Sequence, residues 1–181
     1  MTKSGKTVML GVTGSIAAYR ACEIVGSLKR ASFDVHVLMT KEALEFITPL
    51  SLQTISRNRV VTDMFALPDK WEVVHTSLAD KADLVLIAPA TANIIGKLAG
   101  GICDDILSSV VFATDAPVVI APAMNEKMYK HPVTQQNIAA LKKIGYHFIG
   151  PIKGRLACGH EDIGHIADTA DIVRAVKRLL K

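Results

Sequence analysis

Two uninterrupted apolar runs dominate the middle of the chain, Leu84-Val85-Leu86-Ile87-Ala88 and Pro117-Val118-Val119-Ile120-Ala121. Short runs of this kind, without polar alternation, predict strands buried on both faces of a parallel sheet. Each is closed by a proline-marked stretch of small and amide-bearing residues: Pro89-Ala90-Thr91-Ala92-Asn93 after the first, Pro122-Ala123-Met124-Asn125 after the second. Ligands of open α/β sheets bind at the carboxyl ends of the strands, so both stretches are expected to border one crevice. Small residues there admit a flat ring, while Thr91, Asn93 and Asn125 supply directional hydrogen bonds. The outline is that of a cofactor site.

The rest of the chain alternates strand and helix patterns around this centre. Thr7-Val8-Met9-Leu10-Gly11-Val12 predicts a first strand, followed by the turn Thr13-Gly14-Ser15 and a helical stripe over residues 16–29. A strand, a glycine turn and a helix start make a weak anion-site signal, since free N–H groups and the helix dipole point at the turn. Asp34-Val35-His36-Val37-Leu38-Met39 predicts a second strand, and Thr40 a cap for the short helix after it, a role a bare threonine fills more often than that of phosphate ligand. Residues 49–55 read as a short helix, Val60-Val61 as a brief strand, and residues 65–74, with Pro68, Asp69 and Trp71, as a loop over one sheet edge. His75 enters a short helix, where a histidine is more often a cap or a surface residue than a catalyst.

A helix over residues 92–98 is broken by Gly100-Gly101, and Asp104 or Asp105 is expected to cap the next, over 106–113, which is apolar nearly all round and so buried. Pro132 opens a helix ended by Gly145, and Tyr146-His147-Phe148-Ile149 predicts the last strand. Residues 150–164, glycine-rich and without apolar period, are expected to form a lid or binding loop. Asp168 caps the closing helix. Strands alternating with helices throughout predict a doubly wound parallel sheet in three layers and one domain over residues 1–181.

Composition narrows the function classes. Half of the 181 residues are hydrophobic and only 5% aromatic, as suits a Val, Ile and Leu sheet under Ala- and Leu-rich helices. The net charge of +4 comes from scattered lysines, with no basic run interleaved with aromatics, so nucleic acid is not expected as a partner. Cys22, Cys103 and Cys158 are an odd count without short repeat spacing, against a disulfide framework or zinc knuckle, and no metal is expected. No run of about 18 apolar residues and no signal-type segment is present, so no membrane association and a cytoplasmic location are expected.

Five motifs stand in one order: Gly11-Val12-Thr13-Gly14-Ser15-Ile16-Ala17-Ala18-Tyr19, His75 ahead of Ala79-Asp80, Pro89-Ala90-Thr91-Ala92-Asn93, Ala121-Pro122-Ala123-Met124-Asn125 with Met128, and Gly154-Arg155-Leu156-Ala157-Cys158-Gly159. Together they resemble the flavin-containing cysteine decarboxylase family over nearly the whole chain. The resemblance implies a Rossmann/flavodoxin-like fold with FMN as cofactor, bound by Gly14, Ser15, Ile16, Thr40 near the phosphate, Pro89, Ala90, Thr91, Asn93 and Ala123. It implies His75 as the active-site histidine, Asn125 on the substrate carboxylate and Cys158 as the acid of a substrate clamp. Met128, Arg155 and Ala157 would contact substrate. It also implies a homo-oligomer, trimer or trimer-based up to a dodecamer, with flavin and substrate between subunits.

Within that family the likeness is to the branch that decarboxylates 4'-phosphopantothenoylcysteine to 4'-phosphopantetheine in coenzyme A biosynthesis. The alternatives are a peptidyl-cysteine decarboxylase or related flavin-using transferase, and a non-catalytic FMN-binding regulator. The implied route is transient oxidation of the cysteine thiol to a thioaldehyde, which places the carboxylate β to an electron sink before CO2 leaves. The chain departs from the family after the clamp cysteine, where His160-Glu161-Asp162-Ile163-Gly164-His165-Ile166 replaces a Gly-x-Gly-Arg-Met type ending, and Arg155 is the candidate to supply the lost positive charge. Many bacterial relatives continue into a ligase domain, which is expected to be encoded elsewhere for this chain ending at Lys181.

Overall fold

Five parallel strands form one sheet in the order β2-β1-β3-β4-β5: β1 (Thr7–Val12), β2 (Asp34–Met39), β3 (Leu84–Ala90), β4 (Val118–Pro122) and β5 (His147–Phe148). The computed structural model describes residues 5–65, 73–155, 159 and 161–181. After β2 the chain returns past β1 to place β3 on its other side, so the winding reverses between β1 and β3, where such sheets bind ligands.

Because side chains alternate across a strand, each strand feeds two cores. Val8, Leu10, Val12, Leu84, Leu86, Ala88, Val119 and Ala121 point to one face. They pack beneath α1 (Arg20–Arg30), α2 (Pro49–Ser56) and α8 (Thr169–Leu179). Met9, Val85, Ile87, Val118 and Ile120 point to the other. That face is covered by α3 (Val74–Lys81), α4 (Ala92–Gly100), α5 (Ile106–Ala113) and α7 (Pro132–Lys143). The three-layer, doubly wound α/β architecture expected from the periodicity is present. Every residue of β3 and of β4 is buried, and each fully buried Leu or Ile side chain there contributes about 1.5–3 kcal/mol.

Local signals set the element ends. Thr91 caps α4 by accepting from the Ile94 N–H at 3.4 Å, and Gly101, at φ +74°, stops it in the left-handed region. Of the two aspartates before α5, Asp105 is the cap, in a reciprocal capping box with Ser108. Asp168 holds the cap position of α8 but makes no side-chain cap bond.

Three expectations are modified. The helix over 16–29 starts as a 3-10 turn, Ile16–Tyr19, and becomes α-helical only at Arg20. Pro89 and Ala90 belong to β3 rather than to the loop after it, and the ladder shifts register between Ile87 and Ala90, where a missing proline N–H is tolerated. Residues 150–164, expected to form a lid or binding loop, contain β6 (Ile152–Arg155), which pairs antiparallel with β7 (Glu161–His165) in a hairpin. Its strands carry few apolar side chains, so no hydrophobic period announces them.

The hairpin is fastened to the end of β4. The Met124 N–H donates to the Gly164 carbonyl at 3.1 Å. Gly164 is required there: it sits at φ +139°, and a Cβ would lie 2.2 Å from the Met124 oxygen. Lys130, in the short helix α6 (Glu126–Lys130), pairs with Asp162 at 2.6 Å. Trp71, Leu156, Ala157, Cys158 and His160 lie outside the described residues.

Candidate active site at the carboxyl edge of the sheet

Thr13 joins the two loops at the winding reversal. Its buried hydroxyl donates to the Pro89 carbonyl at 2.8 Å and accepts from the Thr91 N–H at 3.1 Å. The Ala123 N–H donates to the Ala90 carbonyl at 2.9 Å, so hydrogen bonds tie the ends of β1, β3 and β4 together.

Above this unit lies a cavity of about 620 Å³. The turn after β1 contributes Gly14, Ser15, Ile16, Ala17, Tyr19 and Arg20, and the start of α4 contributes Thr91 and Ala92. The β4 loop and α6 add Ala123, Met124, Asn125 and Met128; the hairpin and its exit add Arg155, Gly164, His165 and Ile166. A smaller cavity of about 200 Å³ shares Gly14, Thr91 and Met128 and adds Thr13, Thr40, Glu42, Asn93, Ile94 and Asp105. Together they make a mostly apolar slot with a polar annex, the form of a small-molecule site.

Of the residues expected to hold a cofactor, Gly14, Ser15, Ile16, Thr91 and Ala123 line the larger cavity, and Thr40 and Asn93 the smaller. Pro89 and Ala90 border neither; they are buried in β3 and serve through the backbone bonds just given. Asn125, Met128 and Arg155 line the larger cavity, whereas Ala157 and Cys158 lie outside the described residues. His75, the second residue of α3, borders neither cavity within one chain; its Nδ1 is buried and bonds to nothing among the described residues.

Thr40 also departs from its expected role. It stands at the cap position before a 3-10 turn, Lys41–Glu45, but makes no cap bond, and its buried hydroxyl oxygen has no partner among the described residues. A buried hydroxyl without a partner costs about 1–3 kcal/mol, which a ligand at this site would recover. Next to it, a Cβ on Gly14 would fall 2.4 Å from that of Glu42, so only glycine lets the turn approach this closely.

The other polar groups are firmly oriented. Asn125 caps α6, its Oδ1 accepting from the Lys127 N–H at 2.9 Å and its Nδ2 donating to Glu126 Oε2 at 2.7 Å. An N–H and a carboxylate on opposite sides leave only one sense for the amide. Burial would raise the Asp105 carboxyl, but hydrogen bonds from Lys97 at 2.8 Å and from the Ser108 N–H at 2.8 Å outweigh it and hold the group below its usual range.

Among the lining residues that sequence reasoning missed are Arg20, His165 and Ile166. Arg20 was accessible in principle, standing four residues after Ile16 and so on the same side of a helical turn. His165 and Ile166 were not, because only the hairpin carries them to the cavity. Among the described residues no helix is long and apolar enough to cross a membrane.

The comparisons with known proteins agree with this geometry. The chain is 45% identical over 175 residues to the coenzyme A biosynthesis bifunctional protein CoaBC of Bacillus subtilis, covering 97% of this chain and 43% of that one. It thus spans less than half the length of the bifunctional relatives it matches. It is 44% identical over 177 residues to a probable phosphopantothenoylcysteine decarboxylase of Streptococcus mutans, covering 97% of this chain and 99% of the other. Among solved structures, a PPC decarboxylase mutant complexed with pantothenoylaminoethenethiol superposes with a TM-score of 0.87 at 33% identity, over 96% of this chain and 97% of that one. The model of the flavoprotein family matches residues 1–181, and the chain, with its parallel sheet and carboxyl-edge slot, belongs to that family.

Proposed function

We propose that this chain is a carboxy-lyase that converts 4'-phosphopantothenoylcysteine to 4'-phosphopantetheine in coenzyme A biosynthesis, with FMN as cofactor, in the cytoplasm. The observation that carries the proposal is the single slot in which the Thr91 loop, the Asn125 loop and the hairpin meet. Likeness to the Streptococcus mutans relative over almost its full length supports the same reading.

The residues present fit FMN. Thr40, with its unpartnered hydroxyl, and the Gly14 and Ser15 turn would hold the phosphate; Ile16, Pro89, Ala90, Thr91, Asn93 and Ala123 would lie along the rest of the cofactor. When bound, FMN supplies a reversible two-electron oxidation of the thiol-bearing carbon, chemistry that no side chain provides.

The chain's own groups do the rest. Asn125 is neutral, so it orients the substrate carboxylate without the charge pairing that would stabilise the ground state against CO2 loss. His75 takes the thiol proton. Cys158 returns a proton to the enethiolate carbon, and Met128, Arg155 and Ala157 would contact the substrate. Electrons lent at the start return at the end, so the reaction has no net redox change.

His75 borders neither cavity of its own chain, and this favours completion of the site by a second copy in a homotrimer or trimer-based assembly. Ile16 and Tyr19, apolar and more than half exposed at the cavity mouth, are the kind of surface such a copy would cover. The deciding experiment is mass spectrometry of products after flavin-loaded protein meets 4'-phosphopantothenoylcysteine and, separately, a peptide ending in cysteine. Loss of CO2 from the first and not the second is expected. The reverse result, or no loss from either, removes the assignment.

A further inference from the structure

The larger cavity is one-sided in charge. Arg20, Arg155 and His165 line it, and among the described lining residues there is no aspartate or glutamate. The proposed substrate brings two anionic groups, and they have opposite needs. Its carboxylate must leave as CO2, so a cation paired with it would oppose the reaction. The neutral amide of Asn125 already suits that end. The basic side of the cavity is therefore matched to the other anion.

Arg20 is built for such a ligand. Its side chain is 22% exposed and is held by Thr169, whose hydroxyl lies 3.4 Å from Nη2. Glu23 Oε2 is 3.1 Å from Nε, yet out of line for a hydrogen bond, so Nε is a buried donor without a hydrogen-bond partner among the described residues. A guanidinium with donors left over is the side chain best shaped for phosphate oxygens.

His165 approaches from β7. Its Nδ1 lies 2.9 Å from the Ile166 carbonyl oxygen, which can only accept, so Nδ1 carries a hydrogen, and Nε2 can donate to a phosphate oxygen when it carries one too. The ring rests over Gly154, where a Cβ would come within 3.2 Å of His165 Cβ and Cγ. Neither Arg20 nor His165 borders the smaller cavity with Thr40, whereas Gly14 and Ser15 of the turn expected to hold the cofactor's phosphate share the larger cavity with them, which is why flavin retention is read alongside substrate preference.

We infer that Arg20 and His165, with Arg155 beside them, form the subsite for the substrate's terminal phosphate and so select the phosphorylated substrate over its dephosphorylated form. The inference rests on the decarboxylase reading above. It is tested on flavin-loaded protein by kcat/KM for 4'-phosphopantothenoylcysteine and for pantothenoylcysteine, and by calorimetric binding of 4'-phosphopantetheine and pantetheine. The native protein is expected to favour the phosphorylated member of each pair. Arg20→Met and His165→Gln should each reduce that ratio by at least about tenfold, the scale of one charge-assisted hydrogen bond, and Arg20→Lys should keep most of it.

Equal use of both substrates by the native protein, or variants that weaken both in parallel, would overturn the subsite. So would loss of flavin from Arg20→Met, which would move Arg20 to the cofactor. Pantothenoylcysteine and its phosphate ester both failing to lose CO2 would instead remove the decarboxylase reading, and this inference with it.

Discussion

Thr40 is the residue whose context most changes its meaning. From sequence it is a helix cap; in the fold its hydroxyl is buried, caps nothing and has no partner among the described residues. A group of that kind costs stability in the empty protein and repays it on binding. Thr40→Val should therefore leave the flavin-free protein as stable or up to about 1 kcal/mol more stable in denaturant unfolding. The same change should weaken FMN binding about tenfold in a fluorescence titration, because a hydrogen bond to the phosphate is lost. A destabilised apoprotein with unchanged flavin affinity would show that the hydroxyl serves the fold alone. Thr13 is the contrasting case: equally buried, but with both its hydrogen-bonding roles filled by the two loops it joins.

At the scale of the element, α5 shows how a charged cap holds a buried helix in place. Its residues from Ile106 to Val111 are buried, and its start depends on Asp105, which binds Ser108 and Lys97 at once. The Asp105 carboxyl is raised by burial but lowered further by these partners, so its folded pKa lies below the ordinary value. A group depressed in this way adds stability above its unfolded pKa, and the contribution is lost as pH falls through the folded one. Acidification below about pH 4 should thus remove it. Asp105→Ala should lower stability at pH 7 by about 1–2 kcal/mol and lose less on acidification than the native protein. Urea unfolding at several pH values measures both, and parallel acid losses in the two proteins would contradict the account. The hairpin is an element of the other sort: its strands are polar, and among the described residues a backbone bond to Met124 and a surface ion pair of Lys130 with Asp162 help hold it over the cavity.

Across the whole molecule, the residues proposed for the reaction are distributed unevenly. Asn125, Arg155 and the β1 turn share a cavity, while His75 lies outside it on α3. If a neighbouring copy supplies the histidine, His75→Asn and Asn125→Ala should each be inactive alone. Mixed after reversible dissociation, they should regain activity, since roughly a quarter of randomly assembled shared sites would hold both native residues. Activity of the mixture no higher than that of either variant would place both residues in one chain's site. Light scattering of the native protein supplies the companion measurement, with a trimer or a multiple of it expected.

Apolar runs, turn residues and caps determined the sheet, its two helical layers and the position of the crevice, because strand burial and helix ends are governed by neighbours close in the chain. The motifs around Gly14, Thr91 and Asn125 were legible for the same reason: each is a strand end followed by its own turn. What lay beyond the sequence depended on contacts between distant segments. The hairpin over 150–164 has no hydrophobic period, and its place over the site comes from Gly164 meeting Met124. The lost partner of Thr40 comes from how the turn packs, not from its residue type. The basic side of the cavity joins Arg20 to His165 across most of the chain's length. Local chemistry is written in order along a polypeptide; which charges and orphaned polar groups end up facing one another is decided only when the core closes.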